Sequence, residues 1–205
     1  MKDITKKPIE GFFSIKCLDK NNNIIDFYEK KNTIMLKSKT TMANQIGGLN
    51  TDGIIGSFTL GTEGANTGGI TSKAVDPAQT ELFCQSSVPG PVGAYWMCDF
   101  TSIGSGLATI NGRGNFDSSG NNIGNDSNSV VNVTVNGDYV EYTITIDALD
   151  ANGTGLEAYS EASLCTNLNK DFAAGVSGDI FAMRTFGNKI KDNSVKLVIT
   201  WRIQF

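Results

Sequence analysis

Apolar and polar residues alternate with a period of two over several stretches of this chain. That spacing puts successive side chains on opposite faces of a β-strand. Phe13, Ile15 and Cys17 share one side of residues 12–18, and Asp19-Lys20-Asn21-Asn22-Asn23 has the composition of a turn. Residues 24–28 read as the returning strand, and strands are also predicted over 54–60, 94–100 and 106–111. Val131, Val133 and Val135 alternate with polar residues up to Asn136-Gly137, after which Val140, Tyr142, Ile144 and Ile146 resume the pattern. Strand, Asn-Gly, strand predicts a hairpin whose two turn residues take positive φ. The last segment is the clearest stripe: Val195, Leu197, Ile199, Trp201, Ile203 and Phe205 lie on one side, with Lys196, Thr200, Arg202 and Gln204 opposite. Trp201 therefore reads as core, and Phe205 is expected to be packed.

Between 34 and 47 the period changes. Ile34, Met35, Met42, Ala43, Ile46 and Leu49 recur at helical spacing, and Gly47-Gly48 is a helix stop. Residues 62–80 and 116–128 are polar with little periodicity and read as loops. Many short strands, one early helix and no alternation of strands with helices predict a mainly β fold. The expected architecture is an antiparallel, jelly-roll-like β-sandwich with one α-helix at about residues 34–47. It forms a single domain over 10–205, preceded by an extended arm at 1–9.

The chain has 205 residues, with 17 Lys and Arg against 21 Asp and Glu and a net charge of −4. That balance argues against a broadly basic nucleic-acid-binding surface. Histidine is absent. No Ser-His-Asp triad, Cys-His pair or His-containing metal site can be built, which leaves carboxylate chemistry and binding. The expectation shifts toward a protein without catalysis, metal or cofactor. Cys17, Cys84, Cys98 and Cys165 contain no C-x-x-C pair, so they are expected to be buried, reduced packing residues. No apolar run follows the charges near Met1, and none is long enough to cross a bilayer. Neither a secretory signal nor a membrane partner is expected.

Some motifs carry a candidate chemistry. Asp19-x-Asn21-x-Asn23 opens like a calcium loop, but Ile24 and Lys30 stand where that loop needs Gly and Glu, so a hairpin turn is expected. Gly153-Thr154-Gly155-Leu156-Glu157-Ala158 matches a dinucleotide fingerprint that works only between a strand and a helix; among hairpins it reads as a loop. Glu141, Asp147, Glu157 and Glu161 lie on or beside strands and are expected to be solvated. Tyr95 and Trp96 are candidates for a surface contact, including stacking on a glycan, and Lys6 and Lys7 for a contact made by the arm.

Glu161-Ala162-Ser163-Leu164, then Phe181-Ala182-Met183-Arg184-Thr185-Phe186, then Leu197-Val198-Ile199-Thr200-Trp201-Arg202-Ile203-Gln204-Phe205 follow in an order with a resemblance. So does the helix leading into Gly61-Thr62-Glu63-Gly64. The arrangement resembles a family of small β-rich virion proteins of tailed bacteriophages. Ser163 stands where that family prefers Gly, and Met183 shifts its arginine by one position. The resemblance implies a non-enzymatic structural protein of the virion. It would assemble with copies of itself and neighbouring virion proteins, in tail, baseplate or neck before head. Decoration of the head, or a receptor- or glycan-binding module of a tail fibre, are the alternatives. No catalytic residue is carried over.

Overall fold

A computed structural model describes residues 9–47, 54–85, 93–102, 104–124, 127–166 and 179–205. In chain order the elements are β1 (Glu10–Leu18), β2 (Ile24–Ile34), α1 (Lys37–Ile46), β3 (Ile55–Gly61), β4 (Tyr95–Thr101), β5 (Gly106–Leu107), β6 (Thr109–Phe116), β7 (Asn122–Gly124), β8 (Val130–Asn136), β9 (Tyr139–Ile146), β10 (Leu156–Thr166), β11 (Ile180–Asp192) and β12 (Lys196–Gln204). A 3-10 turn at Phe83–Gln85 precedes β4. The twelve strands form one curled antiparallel sheet in the order β5-β8-β9-β12-β1-β2-β11-β10-β3-β4-β6-β7.

Two layers result, β5-β8-β9-β12-β1-β2 against β11-β10-β3-β4-β6-β7, and the expected mainly β, sandwich-like fold is what the chain adopts. At one corner β2 leaves the first layer by pairing Thr33 and Ile34 with Met183 and Ala182 of β11. At the other, only Ala108 separates β5, which pairs with β8, from β6, which pairs with β4. Continuous chain thus crosses both sides of the sandwich, which removes most of the free strand edge that would invite aggregation.

The first layer shows why period-two sequences make half-buried strands. Strands β1 and β12 pair from Glu10↔Gln204 to Leu18↔Lys196, which sets Phe13 opposite Trp201 and Ile15 opposite Ile199 on the inner face. All four are fully buried. Phe13 meets the Trp201 ring edge-on at 4.9 Å and stacks at 5.4 Å on Phe186 from the facing layer. Each such side chain contributes about 2–3 kcal/mol through burial, so this aromatic group ties the layers together.

The second layer is covered on both faces. Every residue of β3 is buried, as are the last eight of β10. Its inner face joins the core through Phe58, Leu60, Trp96 and Phe186. Its outer face carries a second apolar cluster of Met35, Leu82, Cys84, Tyr95, Met97, Phe116, Cys165, Ile180 and Met183. Residues 62–85 supply the cover, with Leu82 and Cys84 packed down and Val75 and Phe83 partly so.

Several expectations are corrected in detail. Strand β2 runs on to Ile34, and Met35 donates its N–H to the Phe181 carbonyl, so the helix starts only at Lys37. Its buried face is Ser38 and Thr41, while Ala43 and Ile46 are exposed and Leu49 lies outside the described residues. The hairpin at 136–139 is present, but Asn136 pairs with Tyr139, and neither Asn136 nor Gly137 takes positive φ. The Asn136 side-chain carbonyl instead accepts from the Asp138 N–H at 3.4 Å. Phe205 is 54% exposed, because the ladder ends at Gln204. Residues 116–128 include the short strand β7.

Candidate functional site

Three of the motifs singled out in the sequence resolve into structure. Asp19 folds its own turn, its Oδ1 accepting from the N–H groups of Asn21 and Asn23 at 2.8 Å each, with Asn22 at φ 62°. These bonds, led by the one from the Asn23 side chain, hold the Asp19 carboxyl below its ordinary range. Gly153 and Gly155 sit at φ 53° and 131° in a turn that enters strand β10, so the dinucleotide pattern lacks its helix. All four cysteines are buried thiols outside any disulfide. No group of three Cys, Asp or Glu among the described residues could hold a metal ion.

The aromatic pair is corrected. Tyr95 is 3% and Trp96 0% exposed. On a strand covered on both faces, adjacent side chains are both buried: Trp96 faces the inter-layer core, and Tyr95 stacks on Phe116 at 4.7 Å under the outer cover. Neither can stack on a glycan. Lys6 and Lys7 lie outside the described residues.

Glu161 is the second correction. It is fully buried on the outer face of β10. Its carboxylate accepts backbone N–H groups from Phe83 and Cys84 at 2.8 Å each and from Glu63 at 3.4 Å. One residue away, the Ser160 hydroxyl donates to the Thr62 carbonyl at 2.9 Å and accepts from the Ala65 N–H at 3.1 Å. A Cβ on Gly64 would lie 2.3 Å from the Ser160 carbonyl oxygen, so the cover approaches β10 as closely as a glycine permits. Burial raises the Glu161 carboxyl above its ordinary range, and the N–H bonds pull it partly back. This carboxylate fastens the cover and is the acceptor for otherwise orphaned donors.

Lys191 plays the matching role elsewhere. It is fully buried, and its Nζ donates to the Ala148 carbonyl, Asn152 Oδ1 and the Asp192 carbonyl at 2.9, 2.6 and 2.9 Å. All three ammonium hydrogens are used in holding the loop before β10. Sequence reasoning missed both groups, because a charged residue in a β-stretch carries no local mark of burial.

Two clefts remain. At the start of β3, a cleft of about 260 Å³ enters between the layers, walled by Met42, Ile55, Val133, Val140, Phe181 and Ile203, with Tyr142 inside and Ile54, Val135 and Phe205 exposed on its rim. Beyond the opposite end of β3, a cleft of about 320 Å³ is formed by Thr62, Glu63, Gly68, Gly69, Lys73 and Asn188. Its charges face each other, with Lys73 Nζ 4.0 Å from Glu63. Asn66 is spent on Thr71 and Ser72. That cleft suits hydrogen bonding to neutral groups, whereas the first suits apolar ones.

One surface strand departs from the rest. Ile24, Ile25 and Phe27 of β2 are 58, 57 and 48% exposed. Phe27 lies on the outer face with Lys16, whose Nζ is 6.0 Å from the ring centre. The inward side of the same strand carries Asp26, bonded to Lys189 at 2.7 Å, and Tyr28, whose hydroxyl accepts from Arg184 Nε at 2.8 Å. No protein-family model, curated protein or solved structure matches the chain.

Proposed function

We propose that this chain is a non-enzymatic structural protein of a tailed-phage virion, packing against copies of itself and neighbouring virion proteins, in the tail, baseplate or neck. The observation that carries the assembly role is the exposed apolar run Ile24, Ile25 and Phe27 on β2. Apolar surface held out on a rigid strand gains free energy when a partner covers it, at about 25 cal/mol per Å². A sandwich crossed on both sides by continuous chain supplies a stiff body on which such a contact keeps its geometry. The phage assignment rests on the segments 161–164, 181–186 and 197–205, which form parts of β10, β11 and β12.

The test is fractionation of purified particles. Tails and heads separated and analysed by mass spectrometry are expected to show this chain in stoichiometric amount with the tails. Recovery with the heads, and release from them by mild chaotrope, would replace the tail placement with head decoration. Absence from both fractions would overturn the reading.

A further inference from the structure

We infer that the apolar cleft between the layers binds a small neutral molecule that has an apolar body and one hydrogen-bond acceptor, which the Tyr142 hydroxyl engages. Three observations converge on it. The first is the shape: the cleft penetrates the core from one end of the sandwich, walled by side chains from both layers and by Met42 of α1. The second is an unspent polar group. Tyr142 is 8% exposed, lines the cleft, and its hydroxyl has no hydrogen-bond partner among the described residues. The hydroxyl oxygen is not one of the buried polar atoms left without a partner, so it opens into the cleft, where a bound acceptor would take the place of water. The other hydroxyl at the cleft is already used, since Ser102 Oγ donates to the Gly104 carbonyl at 2.8 Å.

The third is the charge of the walls. Among the described residues, no Lys, Arg, Asp or Glu lines the cleft. An ionised ligand would be desolvated there without a counter-charge, so a neutral one is required. Burial also pushes the Tyr142 phenol above its ordinary range, which keeps it a donor at any physiological pH. Size follows by proportion. A cavity of about 150 Å³ holds benzene, so 260 Å³ accommodates about ten non-hydrogen atoms. The cleft opens beside Ile203 near the Glu10↔Gln204 end of the β1–β12 ladder, whereas the exposed run of β2 lies at the Leu18 end. Ligand binding and assembly are therefore separable, and either can fail alone.

Acetophenone and isopropylbenzene test this directly, being alike in size (about nine non-hydrogen atoms each) and differing in the carbonyl acceptor. Titrations of the full chain are followed by the methyl resonances of Val133 and Val140. Both compounds are expected to shift these methyls, with acetophenone binding about fivefold more tightly, the worth of one net hydrogen bond. In Tyr142→Phe, which keeps the ring and its packing, the two should bind alike. In Val140→Trp, which plugs the mouth, neither should bind. No shift at the cleft methyls with either compound would overturn the inference. So would an acetophenone preference that survives in Tyr142→Phe, or binding that survives in a folded Val140→Trp.

Discussion

Strand β12 in the first layer alternates buried Leu197, Ile199, Trp201 and Ile203 with accessible Val198, Thr200 and Arg202, whereas β3 in the second layer is buried at all seven positions. Both strands are central in the same curled sheet, so the difference comes from what lies outside them. Water wets the outer face of β12, while residues 62–85 lie over β3 and β10. Covering a second face adds apolar burial, but it also traps backbone donors of an irregular segment that no strand ladder can satisfy. Glu161 and Ser160 answer that need, which is why polar side chains are buried in the layer that looks most apolar.

The comparison can be broken at several points. The largest effects should come from Trp201→Ala and Trp96→Ala, one from each layer, each costing about 3–5 kcal/mol in chemical denaturation. A loss under about 1 kcal/mol for Trp96→Ala would show that β4 is not covered on both faces. Glu161→Ala comes next, at about 3 kcal/mol, because three N–H groups lose a charged acceptor. Hydrogen exchange at the Phe83 and Cys84 amides should accelerate while that of β1 and β12 changes far less. Uniform acceleration would mean that the cover and the core open together.

The same carboxyl gives a pH signature. Burial raises Glu161 in the folded state, so the folded chain holds this proton more tightly than the unfolded one. Its contribution is fullest below the ordinary glutamate range and declines as pH rises through the folded value. Stability of the wild type measured against Glu161→Gln should fall over that interval, and a difference independent of pH would contradict the buried placement. Gly64→Ala should cost about 1–3 kcal/mol, since its Cβ would press on the Ser160 carbonyl. Gly137→Ala is the smallest, between no change and a gain of about 0.5 kcal/mol, because the turn does not use positive φ there. A clear loss in melting temperature would restore the primed turn.

What the sequence shows is mostly the first layer. Alternation at 12–18, 131–146 and 195–203 fixed the facing of β1, β8, β9 and β12 because one wet face leaves a polar residue at every second position. Strand β10 offered no such signal: from Tyr159 to Thr166 both faces are buried, with polar residues such as Ser160 under the cover and the small Ala162 in the inter-layer core. Helical spacing misled at Ile34 and Met35, where the strand's pairing with β11 outweighs a helical propensity that is weak in a Thr-containing stretch. Tyr95 and Trp96, candidates for a surface contact by their aromatic rings alone, are both buried because β4 is covered on both faces, which no local pattern marks. The cleft could not be read at all, because its walls come from five strands and a helix distant in sequence.

The proposed assembly role rests on the exposed run of β2, and the solution mass of the chain tests it most directly. Light scattering on the purified protein over a rising concentration series is expected to show a complex larger than one chain. Phe27→Asp, a change at a half-exposed position that leaves the core untouched, should return the mass to that of a single chain with an unchanged melting temperature. A wild-type protein that stays monomeric throughout the series, or a Phe27→Asp variant that assembles as the wild type does, would contradict it.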